Sequence, residues 1–255
     1  MTFCLGIKVE SGLVGIADTR ITSGTEAITA RKVSVAQHGH HSMFFMTSGL
    51  RSLWDKALTY FYEALDRSDM TFDRLYKAVN AFAEQVRRVA AEDKEALKEA
   101  DLPFNLYSLV GGQLERDREH KLYLLYPQAN WVEVSPGTPY FIIGESGYSK
   151  PLLDRVLRFE SSLQLALKIG VLAFDSTRRS ATNVDFPIDV IIYRRDTFRM
   201  LQHRYSASDL AGISEWWTTN LQRLISTIPS GWTEALFSRE AEGKVTPILR
   251  QSPDG

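Results

Sequence analysis

The chain has 255 residues, of which 44% are hydrophobic and 24% are charged, a balance typical of globular proteins. Its net charge of −1 excludes a broad electrostatic attraction to nucleic acid or to an anionic membrane. The single cysteine, Cys4, excludes an internal disulfide and a zinc site made of cysteines. The sequence has neither a run of about 18 apolar residues nor a secretory signal pattern. We therefore expect a cytoplasmic protein without nucleic-acid or membrane partners.

The chain begins with two short apolar strands joined by a tight turn, the pattern of a β-hairpin. The second strand runs directly into the charged sequence Asp18-Thr19-Arg20. A loop that contains Ser, Gly and Thr follows, and Lys32 then opens the next apolar segment. Taken alone, Asp18 and Arg20 are explained more simply by an ion pair at the end of a strand.

The first residues also allow a specific kind of chemistry. Removal of Met1 would leave a hydroxyl and a free α-amine together on Thr2. A free terminal amine titrates at about pH 7.7–8.0, so it can accept the hydroxyl proton near neutral pH. Pairing with such an amine is one way to activate the weakly nucleophilic Thr hydroxyl. A buried lysine close by would hold both groups in their reactive protonation states through its positive charge.

Beyond this hairpin, runs of predicted strands alternate with pairs of predicted helices. Apolar patterning predicts strands at 28–36, 42–47, 104–113, 121–126, 131–134, 141–143, 187–193 and 198–205. Amphipathic spacing predicts helices at 50–67, after an N-cap at Thr71, at 150–159, at 162–174 and at 208–228. This segregated order favours an α+β fold, with two antiparallel sheets stacked between two helical layers. We expect one domain over 1–239 and a mobile polar tail over 240–255.

Three sequence blocks resemble a known family. They are GLVGIADTR at 12–20, IGESGYSKPLLDR at 143–155 and DSTRRSATNVDFPID at 175–189, and they accompany the MTFC start. The pattern looks like that of proteasome β-subunits among the N-terminal nucleophile (Ntn) hydrolases. It is most similar to the bacterial Anbu branch, which is related to the HslV peptidase. The resemblance covers most of residues 2–205 and implies a four-layer αββα sandwich.

The resemblance also implies a role for each matching residue. Thr2 would be the nucleophile and its own amine the general base. Asp18 would orient Lys32, and Lys32 would lower the free energy of a negatively charged oxygen. The backbone N–H of Gly49 would line the oxyanion hole, where one donor contributes about 2.7–4 kcal/mol. A glycine at the entry of a helix is the plainer explanation of Gly49, and both explanations can hold together.

The supporting residues around the terminal amine match the family less closely. The family has a Ser after an Ile-Gly pair, where this chain has Glu145, so the role falls to Glu145 or to Ser146. Asp175 matches the family's aspartate. The position three residues later is Arg178 rather than Ser, and Ser180 is the nearest candidate. The hydrogen-bond network around the amine is therefore unassigned at two positions.

Three functions are compatible with these residues. The first is a proteasome-type threonine peptidase that cleaves peptides or unfolded polypeptides inside a homo-oligomeric ring or spiral. An ATP-dependent unfoldase or an operon-encoded partner for it cannot be identified from the sequence. The second is an amidohydrolase or acyl-transfer enzyme for small peptides, in which an amine captures the acyl-enzyme. The third is a non-catalytic assembly protein that keeps Met1.

No cofactor is predicted. The cluster of His38, His40 and His41 could bind a metal, but a polar turn between strands explains it better because no acidic ligand is adjacent. No phosphate-binding loop of the Walker type and no G-x-S-x-G motif occur in the sequence.

Overall fold

The computed structural model describes residues 2–23, 26–67 and 72–241. Met1, the predicted N-cap at Thr71 and the part of the predicted tail from 242 onward lie outside these residues. The chain divides into two compact units, and the boundary between them falls after Ala211. The expectation of one domain over 1–239 stays a prediction. No helix in the described part of the chain combines the length and the apolar character that crossing a membrane requires.

The described residues form twelve strands and six helices. The strands are β1 Phe3–Val9, β2 Gly12–Asp18, β3 Arg20–Ser23, β4 Glu26–Thr29, β5 Val33–His38, β6 His41–Ser48, β7 Tyr107–Gln113, β8 Lys121–Leu125, β9 Trp131–Glu133, β10 Tyr140–Gly144, β11 Ile188–Arg194 and β12 Met200–Tyr205. The helices are α1 Arg51–Arg67, α2 Leu75–Glu99, α3 Lys150–Val156, α4 Leu163–Ser180, α5 Ala211–Ser226 and α6 Gly231–Ala241.

Two antiparallel sheets of five strands each form the centre of the first unit. One has the strand order β10-β1-β2-β11-β12, and the other has the order β5-β6-β7-β8-β9. The predicted hairpin is present, since β1 pairs with β2 and Cys4 lies opposite Ala17. A separate ribbon of β3 and β4 places Arg20 opposite Thr29. The hairpin therefore lies inside a large sheet, whereas the ribbon belongs to neither.

Side-chain alternation along the strands separates three apolar layers. In β1, Phe3 and Leu5 pack in a cluster with residues of α3 and α4, whereas Cys4 belongs to the layer between the sheets. In β6, Phe45 packs with residues of α1 and α2, whereas Phe44 belongs to the layer between the sheets. Successive strand residues face opposite sides of a sheet, so helices, sheet, sheet and helices form four layers. The predicted α+β sandwich is confirmed.

The prediction of one continuous strand over 28–36 is wrong. The structure divides it between β4 and β5, with residues 30–32 in neither strand. The Ala30 N–H donates to the Thr19 carbonyl at 2.8 Å, which turns the backbone away from the strand path. Lys32 therefore lies directly before β5. Apolar patterning could not reveal this break, because Ala30 is itself buried.

Helix α2 is capped from outside its own segment. The N–H of Leu75, its first residue, donates to the Asp117 carboxylate at 2.9 Å. Asp117 lies in the turn between β7 and β8 and also accepts the Leu114 N–H at 3.0 Å. A carboxylate in this position satisfies an amide that has no partner within the helix. Since Asp117 is distant in sequence, the local pattern could not predict where α2 begins.

The helices of the second pair differ from their predicted lengths. α3 ends at Val156 instead of 159, and α4 ends at Ser180 instead of 174. The additional residues of α4 include Asp175, which is buried. Tertiary packing therefore extends α4 beyond the end of its apolar run.

The second unit contains α5 and α6. α5 falls within the helix predicted at 208–228, and the residues at 229–231 end it as predicted. The same turn begins α6, because the Ser230 carbonyl accepts the Thr233 N–H at 2.8 Å. α6 was not predicted, and its last residues, 240–241, fall within the tail predicted over 240–255, which stays a prediction.

Candidate active site

Thr2 lies immediately before β1, with 6% of its surface exposed. Its carbonyl accepts the Glu145 N–H at 2.8 Å, so the backbone of Thr2 is fixed to the end of β10. Gly144 makes this approach possible, since a Cβ there would collide with the Thr2 carbonyl oxygen. Its φ of +89° is also one that favours glycine. The Ile-Gly-Glu block therefore positions Thr2 through backbone atoms.

A buried ion pair is hydrogen-bonded to the residue that follows Thr2. Oδ1 of Asp18, a residue with no exposed surface, accepts the Lys32 ammonium at 2.7 Å and the Phe3 N–H at 2.8 Å. Oδ2 accepts the Arg20 N–H at 3.2 Å. Burial raises the pKa of Asp18, and attraction to Lys32 opposes that rise. Asp18 thus connects the start of β1 to the lysine through charge-assisted hydrogen bonds.

Lys32 is held at both its backbone and its side chain. Its carbonyl accepts the Thr47 N–H at 3.2 Å, which fixes it beside β6, and Asp18 holds its ammonium. Only 5% of Lys32 is exposed. A cation at this depth requires a paired anion, because transfer of a lone charge out of water is strongly unfavourable. The ion pair therefore keeps a positive charge at a fixed place inside the protein.

Gly49 follows β6 and has a φ of +122°, in the region that favours glycine. A Cβ at this position would collide with the carbonyl oxygen of Asn105. The Asn105 side chain also accepts the Leu50 N–H at 3.1 Å, so it fixes the turn from β6 into α1. Sequence analysis missed Asn105, and no local signal marks it because its role depends on a turn distant in sequence.

These residues meet in a cleft of about 480 Å³. Its described lining consists of Thr2, Arg20, Ile21, Arg31, Lys32, Thr47, Ser48, Gly49, Leu50, Arg51, Trp54, Asn105 and Gly144. The predicted site residues Thr2, Lys32 and Gly49 belong to this lining. Asp18 does not, but its carboxylate holds the Lys32 ammonium. The structure therefore brings four of the predicted residues together.

The simpler alternative of an ion pair between Asp18 and Arg20 is not what the structure shows. The Asp18 carboxylate binds Lys32, whereas the Arg20 guanidinium binds Asp185 at 3.2 Å. Asp185 lies just before β11, so Arg20 connects the β3–β4 ribbon to the first sheet. Only the backbone N–H of Arg20 contacts Asp18.

The other predicted site residues do not line the cleft. The Asp175 carboxylate accepts a hydrogen bond from the Arg178 guanidinium, and the closest approach of the two groups is 2.9 Å. Arg178 stands where the resemblance predicted Ser. Ser146 is exposed in the loop before α3, and Ser180 is exposed at the end of α4. Roles for Asp175, Ser146 and Ser180 stay predictions.

The histidine cluster lies at the turn between β5 and β6. His38 pairs with His41 across the two strands, and the His40 ring lies 5.0 Å from the Phe198 ring. In the part of the chain that the structure describes, no group of three or more His, Cys, Asp or Glu residues could hold a metal ion.

Comparisons with known proteins agree with this architecture. The family model of the proteasome subunit matches residues 2–192. A structure of Anbu from Hyphomicrobium sp. strain MC1, in a Gly-1 mutant form, is 31% identical with a TM-score of 0.83, and the match covers 90% of this chain and 98% of that chain. Anbu from Yersinia bercovieri, described as an ancestral beta-subunit, is 29% identical with a TM-score of 0.82 over 89% of this chain and 97% of that chain.

A third solved structure is the helical assembly of the Anbu complex from Pseudomonas aeruginosa. It is 29% identical with a TM-score of 0.83, and the match covers 89% of this chain and 97% of that chain. A comparison with curated protein sequences found no match. The matched family model and these structures together show that the chain belongs to the proteasome subunit family, in its Anbu branch.

Proposed function

We propose that the chain is a proteasome-type threonine peptidase subunit, in which Thr2 attacks peptide bonds once Met1 has been removed. The observation that carries this proposal is the buried Asp18–Lys32 ion pair, 2.7 Å long, whose lysine lines the same cleft as Thr2. A positive charge near a terminal amine favours the neutral form of that amine, because like charges repel. The neutral amine is the form that can accept the Thr2 hydroxyl proton.

In the proposed reaction, Thr2 Oγ1 bonds to the substrate carbonyl carbon while its proton passes to the Thr2 amine. The carbonyl oxygen becomes negatively charged, and the Gly49 N–H and the Lys32 charge stabilise it; one such donor contributes about 2.7–4 kcal/mol. The peptide C–N bond then breaks, and the leaving amine takes the proton from the Thr2 amine. Water hydrolyses the ester on Thr2 and restores the hydroxyl.

We retain Asp175, Ser146 and Ser180 as proposed supports of the terminal amine. A residue that tunes this amine would change the pKa of the general base and shift the acidic limb of the rate profile. The variants Ser146→Ala and Ser180→Ala separate the candidates. A shifted pH profile identifies a support, and an unchanged profile removes that residue from the site.

We also propose that the subunit acts in the cytoplasm. We further propose that it forms an assembly of identical copies, since the Pseudomonas aeruginosa relative is a helical assembly. Large exposed apolar side chains support such contacts. Half of those in the described residues lie in the second unit, which is much the shorter of the two: Ile213, Trp216, Leu221, Leu224, Ile225, Ile228, Trp232, Leu236 and Phe237. Light scattering on the purified chain tests the proposal, and a monomer at micromolar concentration would contradict it.

The decisive experiment replaces the nucleophile. Protein whose mass shows loss of Met1 is assayed with a library of fluorogenic peptides and with an electrophilic peptide that traps the nucleophile. We expect turnover, and an adduct whose mass maps to Thr2. Thr2→Ala should lower kcat at least about 10³-fold and remove the adduct, because no other residue supplies both hydroxyl and amine.

A matched substitution controls for the change of residue type. Thr197→Ala removes a hydroxyl in an exposed turn. The only described hydrogen bond of this hydroxyl is to the Arg194 carbonyl, so the variant should retain activity. Circular dichroism and urea unfolding should show that Thr2→Ala remains folded. Turnover by Thr2→Ala at a rate near that of the unmodified chain would refute the proposal, and product analysis would distinguish hydrolysis from transfer to an added amine.

A further inference from the structure

The lining of the candidate active site is strongly cationic. Four of its side chains are positively charged, those of Arg20, Arg31, Lys32 and Arg51. No Asp or Glu is found among the described residues of this lining. The chain as a whole has a net charge of −1, so its overall composition does not explain why four positive charges lie in one cleft. The Lys32 ammonium is buried against Asp18, whereas the three guanidinium groups are more exposed and are the cations that a ligand side chain can reach.

Arg31 supplies the least compensated of these charges. It is exposed and lies directly before Lys32. Unlike Arg20 and Arg51, it makes no ion pair with any residue that the structure describes. A guanidinium in this position can bind an anion without first giving up a carboxylate of the protein.

Arg51 forms an ion pair that is weakened by exposure to water. Its pair with Asp55, 3.1 Å long, joins two side chains that are 51% and 57% exposed. Pairs this exposed contribute at most about 1 kcal/mol, so an incoming carboxylate can compete with Asp55. Arg51 is also the first residue of α1, where the helix dipole adds positive potential.

Arg20 is held in place by the rest of the fold. Its Nη1 binds Asp185 at 3.2 Å, while its Nε is buried and has no hydrogen-bond partner among the described residues. Buried N–H donors are normally satisfied, so this one indicates an acceptor that the described residues do not supply. Neither Asp185 nor Asp55 belongs to the lining, so every charged side chain among the described residues of the cleft is a cation.

We propose that this cleft selects peptides that carry an acidic side chain within one residue of the scissile bond. Guanidinium groups match the planar geometry of a carboxylate and form strong charge-assisted hydrogen bonds with it. Ile21, Leu50 and Trp54 in the same lining provide apolar surface for the stem of such a side chain. This substrate preference rests on the proposed peptidase function, since it places the carboxylate next to the bond that Thr2 attacks.

The test uses internally quenched peptides that differ at one position. One pair has Glu or Gln before the scissile bond, and a second pair has Glu or Gln after it, with product masses identifying the bond that is cut. Glu and Gln have nearly equal volume, so the ratio of kcat/KM isolates the charge. We expect a Glu-to-Gln ratio of about 10 in one pair, the effect of one charge-assisted hydrogen bond. The ratio should fall as salt increases.

Variants assign the preference to the arginines. Arg31→Gln and Arg51→Gln should each lower the Glu-to-Gln ratio about threefold or more, because each removes one cation from the lining. Arg118→Gln removes an exposed arginine in the turn between β7 and β8, outside this lining, and should leave the ratio unchanged. Equal loss of the ratio in Arg118→Gln would show that net charge, not the cleft, determines the preference.

Binding to inactive protein separates this inference from the proposed function. The Glu and Gln peptides are titrated into Thr2→Ala protein, which keeps the four cations of the lining but lacks the nucleophile, and we expect about tenfold tighter binding of the Glu peptide. Turnover with a ratio near 1, or a preference for Gln, overturns the acidic preference and leaves the peptidase proposal intact. Tighter Glu binding without any turnover or Thr2 adduct overturns the peptidase proposal and retains carboxylate recognition. Equal binding without turnover overturns both.

Discussion

Two buried lysines serve different purposes in this molecule. Lys32 is 5% exposed and Lys8 is 4% exposed. Lys32 has one carboxylate partner, Asp18, and lines the candidate active site. Lys8 lies farther along β1 and contacts two carboxylates, Glu119 at 3.1 Å and Glu133 at 3.5 Å. Both lysines are buried cations, but Lys8 is not part of the described lining of the candidate active site.

The two environments differ in the number of charged partners around the lysine and in their position relative to the candidate active site. Lys121 contacts both Glu119 and Glu133, at 2.9 and 2.8 Å, so the network around Lys8 contains two cations and two anions. In this network each cation contacts both anions, so we expect it to stabilise the fold. The Asp18–Lys32 pair adjoins space that a substrate can enter, so its ammonium can act on charge that develops during a reaction. Substitutions in the two environments test whether Lys32 contributes to catalysis and Lys8 to stability alone.

The largest effect is expected for Lys32→Ala. We expect kcat/KM for peptides to fall about 10³-fold, because an electrostatic stabiliser of the oxyanion is removed. The free energy of unfolding should also fall by about 3–5 kcal/mol, since Asp18 would stay buried without its cation. Fluorogenic assays and urea unfolding measure the two quantities. Activity within tenfold of the original chain would contradict the proposed role of Lys32.

Lys8→Ala is the matched control, because it removes the other buried lysine of comparable exposure. We expect a loss of about 1–3 kcal/mol in the free energy of unfolding. The loss is smaller than for Lys32 because Glu119 and Glu133 are 37% and 35% exposed and keep Lys121. Activity measured below the unfolding transition should be retained. A loss of activity as large as that of Lys32→Ala would erase the distinction between the two sites.

The network around Lys8 should also make the free energy of unfolding depend on pH in the acidic range. Hydrogen bonding from Lys121, with a further contribution from Lys8, lowers the pKa of Glu119 from 4.5 to about 2. The folded chain therefore releases this proton more readily than the unfolded chain. The resulting stability is fully present above pH 4.5 and is lost as the pH falls towards about 2.

Urea unfolding between about pH 6 and pH 2 measures this contribution. We expect about 1 kcal/mol, because water screens a carboxylate whose side chain is 37% exposed. Glu119→Gln should remove that part of the pH dependence while leaving the contribution of the other carboxylates. An identical pH slope in Glu119→Gln would show that the Lys8 network does not favour the ionised carboxylate.

The smallest effect is expected for His40→Ala. His40 is exposed at the turn between β5 and β6 and belongs to neither lysine environment. We expect changes within about 0.5 kcal/mol in the free energy of unfolding and unchanged kcat/KM. Assays with and without a chelator provide the measurement. A strong loss of activity, or inhibition by the chelator, would instead support a metal site at the histidine cluster.

Much of the candidate site follows from short sequence patterns. The first hairpin places Thr2 and Asp18 near each other because residues at the outer ends of paired strands become neighbours. Lys32 lies directly before β5, but its environment depends on the break at residues 30–32, which apolar patterning did not reveal because Ala30 is buried. Asn105 and the true partner of Arg20 depend on contacts between segments distant in sequence. Periodicity describes one segment at a time and carries no information about such contacts.

The sequence by itself determined the alternation of strands and helices and the α+β class, because both follow from local apolar spacing. The resemblance to proteasome β-subunits implied the αββα sandwich and singled out Thr2, Asp18 and Lys32 as candidates for one site. Only the tertiary structure decided that Asp117 caps α2, that Arg20 binds Asp185, and that three arginines converge on one cleft. These contacts arise when segments distant in sequence pack together, since burial then selects which polar groups must find partners.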